Sequence, residues 1–311
     1  FMAVAQRKYV YIYDDHGAEV HCLRKHDQPN KLQFLKYHFL LVSVSKTAML
    51  RYHDISTGTF IAQHNTGYGS CHVMNQNYHN GVIHCGHSNG VVTMWSPTMG
   101  KCLVSMMTHR GPVSSLVIDP SGNHMVTSGQ DGQVKVWDLR MFKKLHSYRT
   151  KKAVTSMDIS QRGLLALGFG SNATIWKDCI SIRADQPYLK HNFNNQCQVR
   201  TLKFRPYEDL LGVGHDYGYS TLLVPGAGEP NIDTFSANPF ETNKQRRESE
   251  VKALLDKLQP NTIALNPSFV GAVDDDPNAL DKEMKEQMEE ANKDSKPKKK
   301  KEKKKTRGKN K

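Results

Sequence analysis

A tryptophan, or a residue standing in for it, returns about every forty residues. Each time it closes a short β-branched run just after a Gly-rich turn. The clearest copy is Ser128-Gly129-Gln130-Asp131-Gly132-Gln133-Val134-Lys135-Val136-Trp137-Asp138. Upstream stands His87-Ser88-Asn89-Gly90-Val91-Val92-Thr93-Met94-Trp95-Ser96, and downstream Gly170-Ser171-Asn172-Ala173-Thr174-Ile175-Trp176-Lys177. Weaker copies end at Tyr13-Asp14, His53-Asp54 and Val224-Pro225. The marker positions are 13, 53, 95, 137, 176 and 224, with gaps of 40, 42, 42, 39 and 48 residues. Such a period leaves room for four short strands per unit. It predicts an all-β chain of four-stranded blades set around an axis, each blade burying its faces against its neighbours.

The Trp-Asp ending narrows this to a WD-repeat β-propeller. Six blade signatures are visible, and the first is incomplete. Met2–Ala5 and residues 9–13 read as its inner and middle strands, and Glu19–Leu23 as its outer one. The chain starts on Phe1 within a blade, so the natural N-terminus is expected upstream, with seven blades in the full-length protein. An open ring would leave sheet edges unpaired, which proteins avoid. Later blades are expected near 32–62, 68–107, 112–149 and 153–190, with the sixth starting near Val199. The Asp131-Gly132 and Asn89-Gly90 turns suit tight hairpins that need positive φ.

After Val224 the pattern changes. Three regions follow: a propeller over 1–224, an extension over 225–270, and an acidic then lysine-rich tail over 271–311 with too few apolar residues to fold. Residues 241–258 read as a helix. Val251, Leu254, Leu255 and Leu258 form one apolar stripe that would dock it on the propeller or on a neighbour, and Pro260 would stop it.

The formal net charge of +13 is uneven. Residues 293–311 carry +10 and residues 274–290 carry −6, leaving +9 on residues 1–273. Lys298, Lys299, Lys300 and Lys301 with Lys303, Lys304 and Lys305 read as a nuclear import signal, a nucleic-acid contact, or both. Lys244, Arg246, Arg247 and Lys252 on the helix are secondary candidates for RNA contact. Six cysteines without a CxxC pair suggest reduced thiols. No apolar run has the eighteen or so residues of a membrane span.

His109, Thr127, Asp131 and Trp137 invite a catalytic-triad reading, but their spacing does not. His109 falls before a blade's first strand, Asp131 in a turn and Trp137 at a strand's end. In WD repeats these positions form a structural chain of hydrogen bonds from Asp to His to Ser/Thr to the indole. His84-Cys85-Gly86-His87 lacks the four converging ligands zinc requires. The Gly-rich turns at 168–170 and 212–215 lack the helix and Lys-Ser/Thr of a phosphate loop. No nucleophile, base and oxyanion hole come together, so no cofactor, metal or catalytic residue is expected. Trp137-Asp138-Leu139-Arg140 resembles a motif by which substrate receptors dock on cullin-type ubiquitin ligases. Arg140 is therefore a partner-docking candidate for an alternative, adaptor reading. A propeller hydrolase using His109 is the rival from another class.

Other strings are unusual for WD repeats in general. They include Gly81-Val82-Ile83-His84-Cys85-Gly86-His87, Ser160-Gln161-Arg162-Gly163-Leu164-Leu165-Ala166, and Pro206-Tyr207-Glu208-Asp209-Leu210-Leu211-Gly212-Val213-Gly214-His215 running on to Leu222-Leu223-Val224-Pro225-Gly226-Ala227-Gly228-Glu229-Pro230-Asn231. Asn238-Pro239-Phe240, Lys244-Gln245-Arg246-Arg247-Glu248 and Glu250-Val251-Lys252-Ala253-Leu254-Leu255-Asp256-Lys257 follow. Over about residues 1–270 the chain resembles the nucleolar WD-repeat family of U-three small nucleolar RNA-associated protein seven and WD repeat-containing protein forty-six. The resemblance implies a non-catalytic scaffold of the small-subunit processome in the nucleolus, needed for early cleavage of the small-subunit ribosomal RNA precursor. Implied partners are other processome proteins, that precursor and small nucleolar RNA. No RNA-reading module such as paired aromatic motifs is evident, so RNA attraction would be electrostatic and insensitive to sequence.

Overall fold

The structure, a computed structural model, describes residues 1–266 apart from 15, 194–196, 233–237 and 239. Among these residues six antiparallel sheets follow one another, each a meander. Blade one holds β1 (Met2–Ala5), β2 (Val10–Tyr13) and β3 (Glu19–Leu23). Blade two holds β4 (Pro29–Leu35), β5 (Leu40–Ser45), β6 (Met49–Asp54) and β7 (Phe60–Asn65). Blade three holds β8 (Cys71–Gln76), β9 (Ile83–His87), β10 (Val91–Trp95) and β11 (Val104–Met107). Blade four holds β12 (Val113–Ile118), β13 (His124–Gly129), β14 (Gln133–Asp138) and β15 (Lys143–Arg149). Blade five holds β16 (Ser156–Ile159), β17 (Leu165–Phe169), β18 (Asn172–Trp176) and β19 (Leu189–Asn192). Blade six holds β20 (Val199–Phe204), β21 (Leu210–His215) and β22 (Gly218–Leu223).

The first strands of blades two to six lie side by side, β4 on β8, β8 on β12, β12 on β16 and β16 on β20. β1 touches β4 as β9 touches β12 and β17 touches β20, that is, as a blade's second strand touches the next blade's first. Met2–Ala5, expected as an inner strand, therefore takes the second position of blade one, and Tyr13 falls on the third strand, where the tryptophans stand.

The core lies between blades, and in blades two to five both faces of the middle strands are covered. All of β5 is buried, and Val134 and Val136 on β14 are fully enclosed. Continuous β-branched and aliphatic runs suit a sheet packed on both sides. Between blades two and three the filling is Val42, Leu50, Tyr52, Ile83, Met94 and Trp95.

In blades two, three and four a threonine fastens the end of the outer strand back to its own blade. Thr66, Thr108 and Thr150 stand 42 residues apart. Their N–H groups donate to the carbonyls of Ala48, Gly90 and Gly132 at 3.1, 3.0 and 2.9 Å, and their hydroxyls donate to the same oxygens at 3.0, 2.8 and 3.1 Å. The loop leaving each of these three blades is thus tied to the turn between that blade's second and third strands. At Gly90 (φ +84°) the approach is so close that a Cβ would stand 2.0 Å from the His109 carbonyl oxygen, so only glycine fits there.

Among the described residues beyond β22 the chain forms one α-helix, α1 (Asn243–Leu255), and a 3-10 turn at Pro260–Thr262. Thr242 is its N-cap, and a reciprocal capping box with Gln245 satisfies the first free N–H groups. The helix is shorter than the expected 241–258. It ends at Leu255, five residues ahead of Pro260, because the chain there turns onto blade two and the Leu258 N–H donates to the Tyr37 carbonyl at 2.9 Å.

Candidate functional site

Blade four brings His109, Thr127, Asp131 and Trp137 together. The Trp137 indole N–H donates to Thr127 Oγ1 at 3.0 Å, and Thr127 Oγ1 lies 2.9 Å from His109 Nε2. His109 Nδ1 lies 3.1 Å from both Asp131 oxygens. The Gln133 N–H adds a bond to Asp131 at 3.1 Å. Burial pushes the His109 pKa down, against the opposing pull of Asp131. Burial also works against the Asp131 carboxylate, but bonds from His109 and the Gln133 N–H hold it below its usual range. A neutral imidazole beside a carboxylate gives one consistent chain: indole to hydroxyl, hydroxyl to Nε2, Nδ1–H to carboxylate. Thr127 and His109 are enclosed, at 0 % and 1 % exposure. The hydroxyl is bonded on both sides and the imidazole is enclosed, which leaves no free nucleophile at this cluster.

Gly129 makes this arrangement possible, since a Cβ there would stand 2.6 Å from the His109 ring and 2.9 Å from Asp131. The strand registers place His87 of blade three and His215 of blade six at the equivalent position. In these blades the histidine sits on the strand and turns to a hydroxyl on the next strand of its own hairpin. His87 Nε2 lies 2.7 Å from Thr93 Oγ1, which also accepts the Trp95 indole N–H at 2.8 Å. His215 Nε2 lies 2.8 Å from Ser220 Oγ. In blade five Thr174 alone serves Trp176, at 3.2 Å. In blade two His26 lies 2.6 Å from Ser43 and edge-on to His53, which takes the tryptophan's place. A histidine five or six residues before a Ser/Thr, as in His87–Thr93 and His215–Ser220, is the sequence signal of this arrangement.

The other residues singled out in the sequence are placed as follows. His84 faces the Val82 carbonyl at 3.3 Å while His87 faces Thr93, so the two rings serve different partners. Arg140 is exposed, 3.5 Å from Asp138. On α1, Lys244, Arg246, Arg247 and Lys252 are exposed. Val251, Leu254 and Leu255 are exposed at 60, 49 and 81 %, and Leu258 beyond the helix at 38 %. Arg247, Glu248, Val251, Lys252 and Leu255 line a shallow groove on the helix surface. Lys298, Lys299, Lys300, Lys301, Lys303, Lys304 and Lys305 lie outside the described residues.

Residues 257–265 do what no motif announced: they return to blades two and three. Lys257 pairs with Asp54 and donates to Ser56 Oγ at 2.8 Å. Thr262 Oγ1 meets His38 Nε2 at 3.0 Å, Ser96 Oγ donates to the Ile263 carbonyl at 2.7 Å, and Asn80 Nδ2 donates to the Leu265 carbonyl at 3.3 Å. Ile263, 1 % exposed, joins the core between blades two and three. Burying such a side chain contributes roughly 1.5–3 kcal/mol.

Residues 187–266 match the family described as the BING4CT (NUC141) domain, and residues 100–138 match the WD domain, G-beta repeat. The former runs from blade five's last strand through the returning segment. The chain is 46 % identical over 290 residues to U3 small nucleolar RNA-associated protein 7 of Saccharomyces cerevisiae, covering 88 % of this chain and 52 % of that one. It is 43 % identical over 292 residues to WD repeat-containing protein 46 of Homo sapiens, covering 93 % and 47 %. The chain thus spans about half the length of these relatives. A chain of the crystal structure of the mitotic checkpoint complex superposes with a TM-score of 0.63 at 18 % identity, covering 76 % of this chain and 77 % of that one, a likeness of fold. The repeat, the six sheets and the extension that plugs back into them agree: the chain belongs to the WD-repeat family of U3 small nucleolar RNA-associated protein 7 and WD repeat-containing protein 46.

Proposed function

We propose that the protein is a non-catalytic scaffold of the small-subunit processome in the nucleolus. In this reading it supports assembly and early cleavage of the small-subunit ribosomal RNA precursor. The observation that carries this is the 46 % identity, across 88 % of the chain, to a protein named for its association with U3 small nucleolar RNA. The likeness runs through the extension as well as the blades. Three features support a binding role over catalysis. The His–hydroxyl–carboxylate cluster of blade four is bonded internally and serves to hold a turn. The blades offer a stiff frame with loops on both faces, suited to several partners at once. Cations on α1, and more of them at 298–305, suit sequence-independent attraction to phosphate. The exposure of Val251, Leu254 and Leu255 supports reading α1 as a docking element for a protein neighbour rather than for the blades.

Tagged full-length protein recovered from cells tests the reading. It should bring down precursor of the small-subunit ribosomal RNA and U3 small nucleolar RNA, enriched over messenger RNA. Recovery of a cullin adaptor with no enrichment of that precursor would transfer the function to the adaptor reading centred on Arg140.

A further inference from the structure

We infer that the outer edge of blade four, β15 with its flanking residues, is a surface for the phosphate backbone of RNA. The inference rests on the RNA-scaffold reading above and adds a contact on the folded body to those of the tail and of α1.

Between Asp138 and Asp158 the chain carries six Lys or Arg side chains and no Asp or Glu. They are Arg140, Lys143, Lys144, Arg149, Lys151 and Lys152, and all six are exposed. Arg140 is paired with Asp138. Among the described residues the other five stand in no ion pair. β15 is the terminal strand of its sheet, bonded to β14 alone, so its far side faces outward. From Lys143 to Arg149 an extended strand covers about 20 Å, long enough to follow several phosphates of one strand. Lys152 carries the charge toward blade five, where its stem packs on Gly170. Met141, Phe142 and Leu145 are exposed beside these cations at 61, 38 and 42 %. Apolar and aromatic surface among cations is what unstacked bases and a phosphate backbone together favour.

A plainer account exists, since lysines on sheet edges also discourage strand addition. That account asks for charge on every edge. The outer strands β3, β7, β11 and β19 hold a single Lys or Arg between them, Lys190, and β22 at the end of blade six holds none. β15 alone holds three. An edge defended by charge where the others are not points to a partner.

The test uses the 311-residue chain and a uridine homopolymer of about 16 nucleotides. One variant carries Lys143→Gln, Lys144→Gln and Arg149→Gln. A second replaces Lys298–Lys301 and Lys303–Lys305 by Gln. The first should melt as the parent does, since every changed side chain is exposed. It should bind several-fold more weakly, and its log affinity should fall less steeply with log salt, by about 2 units of slope for three lost phosphate contacts. Parental affinity and slope in the first variant overturn the inference. So does protection of Lys143 and Lys144 from acetylation by polyglutamate but not by RNA, which would assign the edge to an acidic protein. If the first variant binds as the parent does while the cellular recovery of precursor RNA holds, the edge inference falls alone. If that recovery fails, the scaffold reading falls with it.

Discussion

Blades three and four each carry a tryptophan near the end of the third strand, Trp95 and Trp137, and are held by different means. In blade four a polar chain crosses from the loop at His109 to the turn at Asp131. Four residues spread over 29 positions are locked by their own bonds. In blade three the indole and the histidine share Thr93 within a single hairpin, and Asn89, in Asp131's place, only bonds the Val91 N–H. Blade three has instead an external brace, Ile263 and the Ser96 bond to its carbonyl. A blade without a network across its own loop can be held from outside by a segment far along the chain, provided that segment brings an apolar plug and satisfies its own backbone.

Acid should separate the two regions most strongly. Burial, with repulsion from His53 and Arg51, lowers His26 to about 4. Burial with repulsion from Lys257 lowers His38 to about 4, and burial lowers His84 to about 4 although the Val82 carbonyl opposes it. A histidine whose folded pKa is depressed favours the folded state above its unfolded value of 6.5, and that contribution is lost as pH falls from there toward 4. Three such groups lie in blades two and three. Asp131 offsets part of the same shift in blade four. Hydrogen exchange at falling pH should therefore open β5 and β9 before β13. Simultaneous opening would erase the distinction.

The next largest effect is expected from Ile263→Ala, which opens a cavity where the brace enters and should cost about 2–5 kcal/mol in denaturant unfolding. A cost under about 1 kcal/mol would mean that the brace carries no weight. Thr127→Val and Thr93→Val each strip the hydroxyl from a buried indole and a buried imidazole, at about 2 kcal/mol apiece. Similar losses would identify the hydroxyl as the element the two blades share. Asp131→Ala should cost about 1–3 kcal/mol, leaving the His109 N–H without an acceptor, while Asn89→Ala at the matching exposed turn should stay within about 0.5 kcal/mol. Equal costs at the two turns would break the comparison at its base.

The sequence carried the blades because their signal is local. Trp95, Trp137 and Trp176 each follow a turn by a fixed count, and strand alternation and Asn-Gly or Asp-Gly turns act over a few residues. It also carried the four-residue network of blade four, since His109, Thr127, Asp131 and Trp137 stand at characteristic offsets. The recurrence of Thr66, Thr108 and Thr150 was equally present but masked, because a threonine by itself has many uses. The rearranged pairs His87–Thr93 and His215–Ser220 depended on strand register, which fixes the face a side chain occupies.

Chain order alone therefore determined the repeat, the strands and the polar chain of blade four, all of which follow from spacing and from the need of buried donors for acceptors. Only the tertiary structure decided that Ile263 sits between blades two and three and that α1 leaves Val251, Leu254 and Leu255 uncovered. An apolar stripe states that a face seeks cover and not what covers it. A contact across some 170 to 220 residues, as from Ile263 to Ser96 or from Thr262 to His38, has no period to betray it. It exists because the packed blades form the site that receives it.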